Sequence, residues 1–267
     1  MNIDPTTSAR FSALSLGTAL LLFFGMLLFL EIGRRISLRA TSRMGDAART
    51  GVGVVDSAVY AVLALLLGFM FNGAMSRFDT RRDMVIQEAS AMSTAWQRID
   101  ALPPAAQATI RTAFTRYVDA VAGVHQTAPG SPTFQRHWQD IAPAQNDLWT
   151  RSVVASLADA GGEKARMLLL PSLNEAFDAV DRELQAIRNH PPKIIYVMLL
   201  VAALASALFA GYSMANRSGR NWLFNTGIAA TIAIVMYVVI QLEYPRLGVV
   251  NVAAIDRPLI ELKTSLR

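Results

Sequence analysis

The residues able to do chemistry in this chain are few. There is no Cys, so disulfides, thiolate chemistry and Cys-built metal sites are excluded. The three histidines, His125, His137 and His190, lie outside the apolar runs, and His125 and His137 flank a loop where solvation is expected. No Gly-rich phosphate loop, HExxH helix, nucleophile elbow or acid cluster with metal-ligand spacing occurs. The expectation is therefore no catalytic residue, no metal, no cofactor and no enzyme. What remains is a set of small and polar residues inside an apolar stretch. Ser57, Ala61, Ala64, Gly68 and Asn72 recur at steps of three and four, so they share one face of a helix. Such a face either packs against a neighbouring helix or lines a pore, with Phe69 or Phe71 near a constriction. Arg77, Asp79, Arg81, Arg82 and Asp83 follow as a dense charged band. That band is either a solvated membrane anchor or, in an oligomer, a ring at a pore mouth.

The elements that carry these residues are apolar helices. The chain is 53% hydrophobic and only 17% charged, against about a quarter charged in soluble domains. Four windows, 11–30, 57–76, 194–216 and 221–242, contain no Asp, Glu, Lys or Arg. Crossing a ~30 Å hydrocarbon core at ~1.5 Å per residue takes about 20 residues, which each window supplies. Unsatisfied backbone groups cost several kcal/mol each in lipid, so each span is helical. The first window is followed by Glu31, Gly33, Arg34 and Arg35, not by a small-residue cleavage site, and is read as retained. Glu31 is expected to pair locally with Arg34 and Arg35, and Asp56 to open the second span.

These windows define an all-α membrane protein with four transmembrane helices and an inserted extramembrane helical bundle. Residues 1–76 form a first membrane hairpin, with spans at about 11–33 and 56–76. Residues 77–193 form the helical insert, 194–242 a second hairpin with spans at 194–216 and 221–242, and 243–267 a tail. The insert carries equal numbers of basic and acidic residues, so the net charge of +5 comes from elsewhere. The two short loops supply much of it, through Arg34, Arg35, Arg39, Arg43, Arg49, Arg217 and Arg220. This is not a nucleic-acid surface. Basic residues in short loops stay in the cytoplasm, which places the insert and both termini outside it, in the periplasm of a bacterium. The protein's partners are then the lipid bilayer, further copies of itself and an anion.

Inside the insert, apolar residues recur with helical period. Phe78, Val85, Ala89, Met92, Trp96, Ile99 and Leu102 form one stripe, with no breaker between it and the second span. The second span is therefore expected to be continuous with the first bundle helix and to end at Pro103 and Pro104. Ile110, Phe114, Tyr117, Val121 and Val124 mark a second helix. Phe134, Trp138, Ile141, Ala144 and Leu148 mark a third, bent at Pro143. Leu173, Phe177, Val180, Leu184 and Ile187 mark a fourth. Short connections favour an antiparallel bundle. Ala203, Ala207 and Gly211 form a small-residue face on the third span. Thr226, Ala230, Ala233, Tyr237 and Gln241 form one on the fourth. In the tail, residues 249–252 read as a short strand or a segment lying on the bundle.

Two motifs carry a resemblance. Val62 to Phe69, then Phe78 and Asp79, then Val85 through Glu88, Ala89 and Ala91 to Leu102 and Pro103, form a span running into a "VxxEAxA … LP" helix. Glu243, Pro245 and Gly248 close the last span with an acid, a spaced proline and a glycine. In both respects the chain resembles the bestrophin-like family of bacterial four-span membrane proteins. The resemblance implies kinship with bestrophins, oligomeric anion channels whose termini and main soluble mass are cytoplasmic, the reverse of the orientation read from the loop charges. It implies an ion-transport role in the bacterial inner membrane. The aromatic-rich motifs of bestrophin pores are not recognisable here. The competing reading is a non-conducting membrane sensor or scaffold whose extracytoplasmic helices bind a partner.

Overall fold

In the computed structural model, residues 5–44, 52–127, 130–157, 162–214, 222–245, 247 and 257–265 are described. Among them the regular elements are all helical, in the order α1 (Pro5–Met44), α2 (Val52–Arg98), a 3-10 turn (Ile99–Ala101), α3 (Pro104–Gln126), α4 (Pro132–Ser156), α5 (Gly162–Arg188), α6 (Lys193–Met214), α7 (Trp222–Glu243) and α8 (Arg257–Ser265). Parts of α1 and α2, together with α6 and α7, are long and apolar enough to cross a membrane, which gives the four expected spans. The second span and the first helix of the insert are one unbroken helix, α2. It stops just before Pro103 and Pro104, where proline denies the α-region to its predecessor and removes a donor.

The chain forms two compact units. One comprises Met1–Ala9, Phe78–Asn189 and Pro245–Arg267 and is here called the bundle unit; the other, Arg10–Arg77 and His190–Tyr244, is the membrane unit.

In the bundle unit the sequence stripes become the core. Met92, Ile99, Phe114, Tyr117, Leu148, Leu169 and Leu173 are fully enclosed, and Trp96 and Trp149 border them. Tyr117 and Phe177 meet edge-on at 5.2 Å, and Arg111 lies 4.5 Å over Trp96 on the core's rim. Helix starts follow local rules. Pro104 and Pro132 occupy first turns, where the missing N–H is no loss, and Ser131 Oγ caps α4 by accepting from Phe134 N at 3.1 Å. Pro143 sits within α4, and Pro171 sits within α5. The tail adds a helix that the apolar pattern does not announce. Leu259 and Leu262 of α8 are buried in the same core, α8 packs on α3, and Lys263 pairs with Asp119 at 2.7 Å. The β-rich stretch 249–252 lies outside the described residues.

In the membrane unit much of each span's apolar surface is open to the surroundings; Leu21 is 75% exposed and Ile234 61%. That much exposed apolar surface suits a lipid solvent and no aqueous one. Where helices do touch, glycine sets the distance. A Cβ at Gly211 would lie 1.9 Å from the Leu30 carbonyl oxygen of α1, and one at Gly33 would lie 2.0 Å from that of Leu208 on α6. Ala203 and Ala207 are buried on the same helix. The small-residue face of the third span thus packs α6 against α1. On the fourth span Gln241 donates to Ser15 Oγ at 2.8 Å, both buried, so an interhelical hydrogen bond joins α7 to α1. Glu31 accepts from Arg34 and Arg35, each at 2.9 Å, one turn along α1. The side chain of Asp56 lies outside the described residues.

Candidate functional site

The α2 face is exposed among the described residues. Ser57, Ala61, Ala64, Gly68 and Asn72 are all exposed, Phe69 is 66% exposed and Phe71 42%. Among the described residues, and apart from the adjoining backbone of α2 itself, nothing lies within 4 Å of where a Cβ of Gly68 would stand. Ala64, Gly68 and Phe71 line an open cavity of about 1120 Å³ whose other wall is Gly227, Thr231 and Val235 of α7. Its walls are almost wholly apolar side chains.

The charged band divides among different tasks. Arg77 binds Glu243: Nε donates to Oε1 at 2.7 Å and Nη2 donates to the same oxygen. Glu243 is fully buried at the C-terminus of α7, where an anion meets the negative end of the helix dipole, so a guanidinium is the charge that position requires. His190 Nδ1 lies 3.7 Å from Glu243 Oε2, and its ring stacks on Tyr244 at 4.6 Å. Tyr244 in turn meets Phe11 at 5.4 Å. Arg81 donates to the carbonyls of Ala186 at 3.3 Å and Asn189 at 2.9 Å, closing the end of α5, where backbone acceptors lose their helical partners. Asp79, Arg82 and Asp83 face solvent. Of the terminal motif, Pro245 is buried and Gly248 lies outside the described residues.

A second buried cluster lies in the bundle unit. Glu88 of α2, His125 at the end of α3 and Glu183 of α5 are 0%, 1% and 1% exposed. His125 Nε2 stands 3.5 Å from Glu88 Oε1 and 3.6 Å from Glu183 Oε2. Solvation of His125, expected from its nearness to a loop, is therefore wrong: the last turn of α3 is inside the core. The half-buried His137 packs against Gly123. Each member of the cluster interrupts an apolar stripe at helical phase. His125 follows Tyr117 and Val121 by steps of four, Glu88 sits between Val85 and Met92, and Glu183 sits between Val180 and Ile187. That phase is the signal that marks them as buried. Tyr117 joins them from α3; its hydroxyl is buried and makes no hydrogen bond among the described residues. Burial first, and then the charges of Glu88 and Asp181, push the Tyr117 phenol well above its usual range.

Comparison with known proteins agrees with this architecture. The chain matches the bestrophin-like domain over residues 19–254, and it belongs to that family. No curated protein matches it. Among solved structures it is similar to a membrane protein at 14% identity and TM-score 0.60, covering 91% of this chain and 98% of the other. Two variants of a bacterial bestrophin homologue from Klebsiella pneumoniae are similar at 14% and 15% identity, both with TM-score 0.58 and covering 92% of this chain. They are covered over 93% and 97% of their own lengths. At such identities the likeness is one of fold.

Proposed function

We propose that the chain assembles into a homo-oligomeric membrane channel that carries anions, with α2 arranged around the path. The observation that carries this reading is the contrast between two small-residue faces. The α6 face is consumed by contact with α1, whereas among the described residues the α2 face meets no other helix within 4 Å of a Cβ at Gly68. A small, partly polar surface gains little from lipid and much from a second subunit or a water-filled path. The anion is suggested by the family's kinship with bestrophins, and a single pore helix per subunit requires a closed ring. Purified protein in proteoliposomes should release chloride, and detergent-solubilised protein should be larger than a dimer. A monomer or dimer without flux would favour a sensor or scaffold whose bundle unit binds a partner.

Two substitutions separate pore from packing. Gly68→Leu should reduce flux severalfold or more with oligomer yield unchanged. Gly211→Leu should lower assembly itself, because the added side chain meets the Leu30 carbonyl. Loss of assembly in both would return the α2 face to packing.

The proposed orientation follows the short-loop charges, with the insert outside the cytoplasm. Single cysteines at Thr133 and Thr41, in this Cys-free background, report it through an impermeant thiol reagent. Labelling of Thr41→Cys alone in intact spheroplasts would reverse the topology and place the insert where bestrophins keep theirs.

A further inference from the structure

We propose that Glu88, His125 and Glu183 form a binding site for a divalent transition-metal ion, with zinc the best fit, that ties three helices of the bundle unit together. The three donor atoms converge within 4.8 Å of one another from α2, α3 and α5. The two His125 separations, 3.5 and 3.6 Å, exceed the roughly 2.7–3.2 Å of an N–H···O hydrogen bond. They lie close to a different length. Two donors ~2.0–2.1 Å from one zinc ion, at the tetrahedral angle, stand about 3.3 Å apart. Both His125 separations are thus within a few tenths of an ångström of that spacing, and all three donor atoms lie within 4.8 Å of one another.

Charge points the same way. Two carboxylates buried this closely repel each other and forgo hydration, a cost that proteins meet by pairing or metal coordination. A neutral imidazole and two carboxylates around a divalent cation sum to zero. One nitrogen and two oxygens suit zinc and its neighbours. Calcium wants six to eight oxygens, and magnesium retains several waters that a sealed core has little room to hold. The buried Tyr117 hydroxyl, two turns before His125 on the same face of α3 and within the field of Glu88, adds a polar group at the cluster's edge that the apolar core does not account for.

The test uses the full chain in detergent, stripped with a chelator and then titrated with Zn²⁺ alone. Wild type should bind one equivalent saturably and gain several degrees in Tm at excess metal. His125→Gln and Glu183→Gln should bind at least tenfold more weakly and lose that gain, while His137→Gln, outside the cluster, should keep both. Absence of saturable binding by wild type, an identical Tm with and without zinc, or binding by His125→Gln equal to wild type would each overturn the site. If a cluster variant fails to fold, the wild-type titration against the chelator still decides. A cluster that merely shares a proton would leave wild type indifferent to zinc. Flux plays no part in any of these measurements.

Discussion

Buried carboxylates occur in both units of this protein, and the two settings neutralise them differently. In the membrane unit Glu243 is met by two nitrogens of Arg77, a group that stays cationic at any physiological pH. In the bundle unit Glu88 and Glu183 both lie near the His125 imidazole, a side chain whose neutral form is a metal ligand. The first arrangement is a permanent lock between the end of one span and the end of another. The second, with the proposed metal bound, would have its net charge set by that ion. A helix terminus that must hold one shape favours the former, and a site that can respond favours the latter.

The largest effect that would break this contrast comes from Arg77→Met. It takes the guanidinium away from the fully buried Glu243 at a helix C-terminus, and removing one partner of such a pair costs about 3 kcal/mol or more. Chemical denaturation or the thermal midpoint in detergent reads this directly. Wild-type stability in that variant would mean that Glu243 is not held by the ion pair. Arg77→Lys keeps the charge but loses the fork, and an intermediate loss of about 1–2 kcal/mol is expected. Glu183→Gln sharpens the other side, because its effect should change sign with metal. In chelator it removes one of two crowded buried charges and should lie within about 1 kcal/mol of wild type, or above it. In excess zinc it should fall below wild type.

Tyr117→Phe is the smallest. Deleting a buried hydroxyl that lacks a hydrogen bond should change stability by less than about 1 kcal/mol at neutral pH. Its signature appears in alkali. The phenol titrates at its ordinary value of 10.0 when unfolded but higher when folded. The folded state therefore binds more protons there, and this contribution to stability is present below pH 10 and lost as pH rises beyond it. The variant should show a shallower alkaline loss than wild type. Equal slopes would place the hydroxyl in a less buried setting.

Much of the architecture is written in local pattern. Charge-free windows of sufficient length specify the spans, because the bilayer tolerates little else. The apolar stripe from Val85 to Leu102 specifies the continuation of α2, because no residue in between breaks a helix. Ile110, Phe114, Tyr117, Val121 and Val124 are all enclosed as their spacing requires. The pairings that span the chain are a different matter. Arg77 and Glu243 are 166 residues apart, and helical period fixes which face each occupies but not which face it meets. The Glu88, His125 and Glu183 cluster draws on three helices, so no metal-ligand spacing can appear along the sequence. α8 is short, and its two core leucines, Leu259 and Leu262, make too brief a stripe to stand out after the β-branched run before it.

The docking of α8 on α3 also imposes an order of events. During synthesis α3 is finished long before α8, and the two spans α6 and α7 are made between them. Until α8 follows those spans, the part of the core that receives Leu259 and Leu262 has no lid, and Asp119 has no lysine from α8. Completion of the bundle unit therefore waits until the second hairpin has been synthesised. A nascent chain that ends before α8 carries an unfinished core, an exposed apolar face of the kind that quality-control proteases and chaperones recognise.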